Sequence, residues 1–171
     1  MIPPVFFFFF SIYTSPGKRV FDVYVENSLR SAGFDAVKIA GPNTAVVVEQ
    51  IVAITDGVVT IKLVKGIENP FISGIEIIAT TAPVTPLSVP PAPIRINVGG
   101  GQFVDPTGNV WKDDAYFNSG QGTWDCPKAI ASTDNDYLYC TYRWFNQAQP
   151  YLYQIPVPNG NYNVRLHFAE L

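Results

Sequence analysis

The chain of 171 residues has the length of one ordinary domain or two small ones. Hydrophobic residues make up 47% of it and charged residues only 15%, a balance that argues against intrinsic disorder. The net charge is −3 and no run of Lys or Arg occurs, so we expect no nucleic-acid partner. The aromatic share of 14%, mostly Tyr and Phe, is typical of an all-β protein.

The N-terminal segment contains five consecutive phenylalanines, Phe6 to Phe10. It is too short to span a bilayer, and it lacks the basic region and cleavage site of a signal peptide, so we expect no membrane insertion. A Phe run followed by Ser11 is what a pyrimidine-rich stretch before a splice acceptor would encode. We therefore interpret residues 1–11 as a leader that is an artefact of the gene prediction.

The chain between the leader and residue 79 is rich in strand patterns and has no helical period. Residues 19–25 alternate between apolar and other side chains, and residues 44–54 form a β-branched run. Asp56-Gly57 is the strongest short hairpin signal, and an apolar strand pattern follows it. Residues 71–78 form another apolar stretch. These patterns predict strands throughout this part.

A proline-rich segment, residues 79–93, divides the two strand-rich parts. Each proline fixes the backbone φ angle and lacks the amide donor that a helix or a central strand needs. The segment is therefore predicted to be an extended, semi-rigid linker.

Beyond the linker, strand patterns recur at residues 94–98, 151–157 and 162–170, whereas residues 112–136 look like a polar loop. The glycine triplet that follows Val98 lacks the spacing of a phosphate-binding loop, so we interpret it as a turn or a close backbone approach. Short strands separated by Gly, Pro and Asn turns predict an antiparallel β-sandwich.

Five motifs of this chain occur together in one known family. They are IRINVGG at 94–100, LYCTYR at 138–143, YNVRLHFAE at 162–170, KRVFDV at 18–23 and NPFISGIEI at 69–77. This set resembles the malectin family, a carbohydrate-binding module, and the resemblance covers nearly all of residues 12–78 and 94–171. It implies an all-β, jelly-roll-type antiparallel β-sandwich.

The order of the motifs differs from that in the family. Residues 12–78 resemble the C-terminal half of a malectin-like domain and residues 94–171 the N-terminal half, so the halves are permuted. Three interpretations follow: a fragment of a tandem-repeat protein, a circular permutant that closes within one chain, or a domain-swapped homodimer. In the first case, neighbouring repeats would be partners.

The resemblance implies non-catalytic binding of an oligosaccharide or glycan in a pocket at one end of the sandwich. Aromatic rings stack on the apolar faces of a sugar, and carboxyl or amide groups bind its hydroxyls. Carried over by motif, the carbohydrate-binding candidates are Tyr13, Glu68 and Trp144, with a further loop aromatic at Tyr116 or Trp124. Each also has a plain structural alternative, as a packed ring or a solvated loop charge.

A second interpretation is a structural or adhesive extracellular repeat whose sugar pocket has decayed. Ile12 favours it, because the family has an aromatic residue there. We expect no enzyme, since no Ser/His/Asp arrangement is legible and the single histidine, His167, lies in a strand motif, where we interpret it and Arg143 as structural.

No metal site and no cofactor are expected, because a Cys/His cluster is missing and the Asp134-Asn135-Asp136 run is more typical of a polar turn than of a calcium site. Cys126 and Cys140 are either two buried thiols or one disulfide. The resemblance places the parent protein outside the cell or in the secretory pathway.

Overall fold

The computed structural model describes residues 13–80, 91–126, 129–145 and 150–171. The leader, Ile12 and most of the predicted linker lie outside the described residues. The described residues form thirteen strands and two short helices, which are β1 (Val20–Val25), β2 (Ser28–Phe34), α1 (Ala36–Ala40), β3 (Val46–Ile54), β4 (Val58–Ile67), β5 (Phe71–Ile72), β6 (Gly74–Ala79), β7 (Ile94–Asn97), β8 (Phe103–Val104), β9 (Val110–Trp111), β10 (Gln121–Trp124), α2 (Asp136–Tyr139), β11 (Thr141–Trp144), β12 (Tyr151–Pro156) and β13 (Gly160–Phe168).

Two four-stranded sheets form the body of the protein. Their strand orders are β12-β4-β1-β2 and β3-β13-β6-β7, and every pairing within them is antiparallel. A three-stranded sheet, β10-β11-β5, and the β8–β9 hairpin complete the strands. The predicted antiparallel β-sandwich is confirmed.

The core lies between the two larger sheets because their strands alternate between buried and partly exposed side chains. Val23 and Leu63 of one sheet and Ile75 and Leu166 of the other are at most 1% exposed and belong to one hydrophobic cluster. This is the half-buried pattern that the sequence periodicity predicts. None of the described helices is long and apolar enough to cross a membrane.

The strands on either side of the proline-rich segment are interleaved within a single chain. β12 pairs with β4 along its whole length, and β13 lies between β3 and β6. β11 likewise pairs with β5. The two parts of the sequence therefore share one core, and each of the two larger sheets contains strands from both parts.

Two sequence predictions about local structure are wrong. Helix α1 lies where no helix was predicted, because a five-residue helix is too short to show a hydrophobic period. Asp35 caps this helix, since its carboxylate accepts a hydrogen bond from the Lys38 amide at 3.0 Å. Strand β10 lies inside the predicted loop 112–136. Its partner β11 supplies the pairing that its Gln-Gly-Thr-Trp sequence does not signal.

Candidate functional site

Three aromatic side chains share one face of the three-stranded sheet. Phe71 of β5 lies opposite Trp144 of β11, and Tyr142 precedes Trp144 by two residues and so points to the same side. The rings of Phe71 and Tyr142 meet edge to face at 6.0 Å. We call Phe71, Tyr142 and Trp144 the aromatic face.

The aromatic face covers one end of the core and is only partly exposed. Phe71 is buried and contacts the core ring of Phe168, with centroids 6.0 Å apart. Tyr142 and Trp144 are partly buried, and the Trp144 Nε1 donates a hydrogen bond to Thr123 Oγ1 on β10 at 3.0 Å. The indole is therefore held in place while part of its surface reaches solvent.

Arg19 connects Tyr13 to the aromatic face. Its guanidinium carbon lies 5.0 Å from the centre of the Tyr13 ring and 4.9 Å from that of Phe71, within the range of cation–π contacts. The Glu170 carboxylate anchors the same guanidinium at 3.1 Å. Two strand motifs from opposite ends of the sequence thus meet beside the aromatic face.

Glu68 stands just before β5 in a left-handed conformation, with φ of 60°. Its carboxylate accepts a hydrogen bond from the Asn69 amide at 3.1 Å. Burial raises the pKa of Glu170 to about 7; Arg19 lowers it, and the charges of Asp35 and Glu68 raise it further. The Glu68 carboxylate is therefore close enough to Glu170 to raise its pKa.

Tyr142 is a site residue that the sequence reasoning missed. Burial raises the pKa of its hydroxyl to about 12; the carboxylates of Asp125 and Glu170 add to this, and Arg19 opposes it. The hydroxyl therefore stays protonated at neutral pH and can donate a hydrogen bond. The signal was its position: it stands two residues before Trp144 in the strand motif around Arg143, so both rings lie on one face of β11.

A buried ion pair supports the sheet from its opposite face. Arg143 lies 2.7 Å from Asp114, and its guanidinium stacks on the Phe117 ring at 3.4 Å from the centroid. Asp114 also accepts hydrogen bonds from the Tyr153 hydroxyl at 2.9 Å and from the Gly99 amide at 2.7 Å. A Cβ at Gly99 would collide with the Tyr142 carbonyl, so this glycine permits a close backbone approach.

Two of the five predicted binding residues lie elsewhere. Trp124 of β10 points to the opposite face of the three-stranded sheet and is 57% exposed. The centroids of its ring and the Tyr137 ring are 5.2 Å apart. Tyr116 is 51% exposed and lines a groove of about 420 Å³ with Arg95 and Lys112. Of the other three, Trp144 lies opposite Phe71, and Tyr13 is linked to Phe71 through Arg19, whereas Glu68 is linked to this region only through its charge acting on Glu170.

Cys126 and Cys140 are joined in a disulfide, which ties the residues after β10 to the end of α2. The 14-residue separation gives a short loop, and closing it restricts the unfolded chain. The disulfide therefore fixes the sequence around Trp124 relative to β11.

His167 belongs to a buried network in which Glu76 is central. Its Nε2 lies 3.1 Å from Glu76, and its Nδ1 lies 3.0 Å from the Tyr139 hydroxyl. Arg95 and Arg165 each reach the Glu76 carboxylate at 2.8 Å. Burial alone would raise the pKa of Glu76, but His167 and the two arginines hold it below the ordinary value. Among the described residues, no group of three His, Cys, Asp or Glu side chains is placed to hold a metal ion.

The fold and the aromatic face together define an antiparallel β-sandwich module with a partly open aromatic surface at one end. The sequence model of the malectin domain family matches residues 7–75 and 93–171, so the chain belongs to the malectin family. Domains of this family bind carbohydrate, are non-catalytic and occur in secretory proteins. The two segments are consistent with two half-domains, and the predicted family is confirmed. No curated protein and no solved structure matches the chain in the corresponding comparisons.

Proposed function

We propose that the chain binds a neutral oligosaccharide, without catalysis, at the aromatic face beside Tyr13 and Glu68. The observation that carries the proposal is the arrangement of Tyr142 and Trp144, two partly exposed rings that are held rigidly on β11. Rings fixed in this way lose little entropy when a sugar stacks on them.

The polar groups around the rings suit the hydroxyls of a sugar. Glu68 is an acceptor at the edge of the site, and the protonated Tyr142 hydroxyl is a donor. Arg19 is already engaged by Glu170 and by two rings, so it holds Tyr13 in position instead of offering a free charge to a ligand. This combination favours a neutral ligand over an acidic one.

We further propose the domain organisation predicted above, with a leader at 1–11, a C-terminal half-domain at 12–78, a linker at 79–93 and an N-terminal half-domain at 94–171. The parent protein would be an extracellular or secretory-pathway protein with tandem repeats. Tyr13 and Glu68 precede the linker and Trp144 follows it, so the site needs both halves. Closure within one chain predicts a monomer by size-exclusion mass measurement, whereas exchange of halves predicts a dimer.

Calorimetric titration of the neutral oligosaccharides that bind on a glycan array tests the site. We expect Trp144→Ala to weaken binding by about tenfold or more, which corresponds to the loss of one stacking contact. Trp144→Phe keeps a ring and should retain most of the affinity. Ile51→Ala, on the exposed side of β3, is the matched control, since Ile51 is 71% exposed and lies in a different sheet.

Glycan binding that Trp144→Ala leaves unchanged would rule out the aromatic face as the site. A folded wild-type protein that binds no glycan would favour the structural or adhesive interpretation instead. Hydrolysis of a bound glycan, abolished by Glu68→Gln, would contradict the proposal that binding is non-catalytic.

A further inference from the structure

A second aromatic surface lies between the β8–β9 hairpin and helix α2. An open groove of about 770 Å³ separates the two elements and is bordered by Phe103 and Val104 on one side and by residues 133–137 on the other. Its volume falls within the range of about 300–1,000 Å³ that is usual for small-ligand sites. We call it the α2 groove.

The aromatic rings at the α2 groove contact one another, and some of them are exposed. Tyr137 is 44% exposed and lies between Phe103, with centroids 4.6 Å apart, and Trp124, at 5.2 Å. Phe103 in turn stacks in parallel on the buried Trp111 ring at 6.1 Å. Exposed apolar surface that is contiguous in this way is a feature of interaction sites and ligand-binding grooves.

The α2 side of the groove, which carries Tyr137, is also polar and acidic. Asp134 and Asp136 border it, together with Thr133, whose hydroxyl accepts a hydrogen bond from the Asn135 amide at 3.0 Å. The Asn135 Oδ1 is buried and has no hydrogen-bond partner among the described residues. The residues that line the groove include no Lys or Arg.

Aromatic rings beside hydrogen-bond acceptors match the chemistry of a sugar, with apolar C–H faces and a rim of hydroxyl donors. The carboxylates disfavour phosphorylated, sulfated or acidic sugars, because no described cation in the lining offsets the repulsion. The ligand class that fits is therefore an uncharged oligosaccharide.

We propose that the α2 groove is a second subsite, which binds further units of the uncharged oligosaccharide whose first units occupy the aromatic face. This inference rests on the function proposed above. The two surfaces lie on opposite faces of the edge strand β10, since Thr123 accepts the hydrogen bond of Trp144 on one face and the next residue, Trp124, contacts Tyr137 on the other, so a glycan reaches both by passing over this edge. A longer glycan thus gains contacts that a disaccharide cannot reach.

Chain-length dependence tests the subsite. Maltose to maltohexaose and cellobiose to cellohexaose are titrated against wild type and Tyr137→Ala by calorimetry. In wild type we expect the affinity to rise by about tenfold between the disaccharide and the longer members of at least one series. Tyr137→Ala should remove this rise and leave disaccharide affinity within about twofold of wild type. Tyr137→Phe should keep the rise.

Val104→Arg provides a second variant, because Val104 is 62% exposed and its replacement fills the groove without removing core packing. It should also remove the dependence on length, whereas Ile51→Ala should not. A length dependence that Tyr137→Ala and Val104→Arg both preserve overturns the second subsite alone. Loss of all binding in Trp144→Ala with that result would still support the aromatic face. If neither glycan series binds folded wild type, both proposals fail for these glycans. Binding of a basic peptide in the α2 groove would then identify a protein ligand instead.

Discussion

Glu76 and Glu170 are buried to the same extent, at 5% and 4% exposure, yet their pKa values move in opposite directions. The pKa of Glu76 is lowered despite burial, because His167, Arg95 and Arg165 all face its carboxylate. Burial raises the pKa of Glu170 to about 7, since Arg19 is opposed by Asp35 and Glu68. Burial raises the pKa of both carboxyls, and the number of groups that oppose it decides the difference between them.

The difference separates two regions with different tasks. The network around Glu76 lies within the sheet β3-β13-β6-β7, where Glu76, Arg95 and Arg165 stand on three neighbouring strands. The region around Glu170 lies beside the aromatic face, where its single cation is shared with two rings. The first arrangement holds strands together, and the second leaves a carboxyl that changes charge near neutral pH.

The largest expected effect comes from removing the charge at the centre of the first network. Glu76→Gln leaves buried positive charge without compensation, and we expect the free energy of unfolding to fall by about 3–5 kcal/mol in urea titrations at pH 7. Glu49→Gln is the control, because the Glu49 side chain is 54% exposed and lies 3.8 Å from Arg165; it should change the stability by less than about 0.5 kcal/mol. Equal stability of Glu76→Gln and wild type would show that the network does not hold the sheet.

The second prediction concerns pH. The folded protein binds the Glu170 proton more tightly than the unfolded chain, whose ordinary value is 4.5, because the folded pKa is about 7. The contribution of this group to stability is therefore complete below pH 4.5 and is lost as the pH rises through about 7, by about 3 kcal/mol in total. Urea titrations at pH 5, 6, 7 and 8 should show this decline in wild type and a flatter profile in Glu170→Gln. If Glu170→Gln shows the same decline in stability with rising pH, another titrating group causes it.

The smallest effect is expected at Asp105, a buried carboxyl bound by neutral donors. Burial would raise its pKa, but hydrogen bonds from Trp111, Asn109 and Thr107 hold it well below 3.8. Asp105→Asn loses acceptor capacity for these donors and should cost about 1–3 kcal/mol by urea titration at pH 7. The wild-type advantage should shrink as the pH falls below 3.8, because a lowered pKa contributes stability only above the ordinary value.

Asp56→Asn is the matched control for Asp105→Asn. Asp56 accepts a hydrogen bond from the Val58 amide in an exposed turn, and Asn-Gly supports the same hairpin. We expect no change beyond about 0.5 kcal/mol. If Asp105→Asn and Asp56→Asn lower the free energy of unfolding by the same amount, the neutral donors around Asp105 add no stability beyond that of an exposed turn.

Most strands of the sandwich could be predicted from the sequence, because β1, β3, β4, β12 and β13 alternate or carry β-branched runs over six residues or more. Strand β2 could not, since Ser28–Phe34 has neither pattern and its turn, Glu26-Asn27, places two non-glycine residues at φ of 52° and 56°. Pairing with β1 holds it in place, and such long-range pairing leaves no local signal.

The candidate site could be predicted only in part, for the same reason. Motif resemblance predicts Tyr13, Glu68 and Trp144, and the fold links Tyr13 to the aromatic face through Arg19. The resemblance did not indicate the roles of Tyr142 and Arg19, because these depend on contacts with residues far away in the sequence. Tyr142 contacts Phe71, and Arg19 forms an ion pair with Glu170. Trp124 and Tyr116 were selected for their type, and type alone does not determine which way a loop aromatic points.

The interleaving of strands has a consequence for the chain when it is cut. Cleavage between residues 80 and 91 would not release two folded domains, because β12, β13 and β11 would lose their partners on β4, β3, β6 and β5. Each fragment would instead carry open strand edges that match only the other fragment. The shared core can therefore form only when the two fragments associate, since each larger sheet contains strands from both.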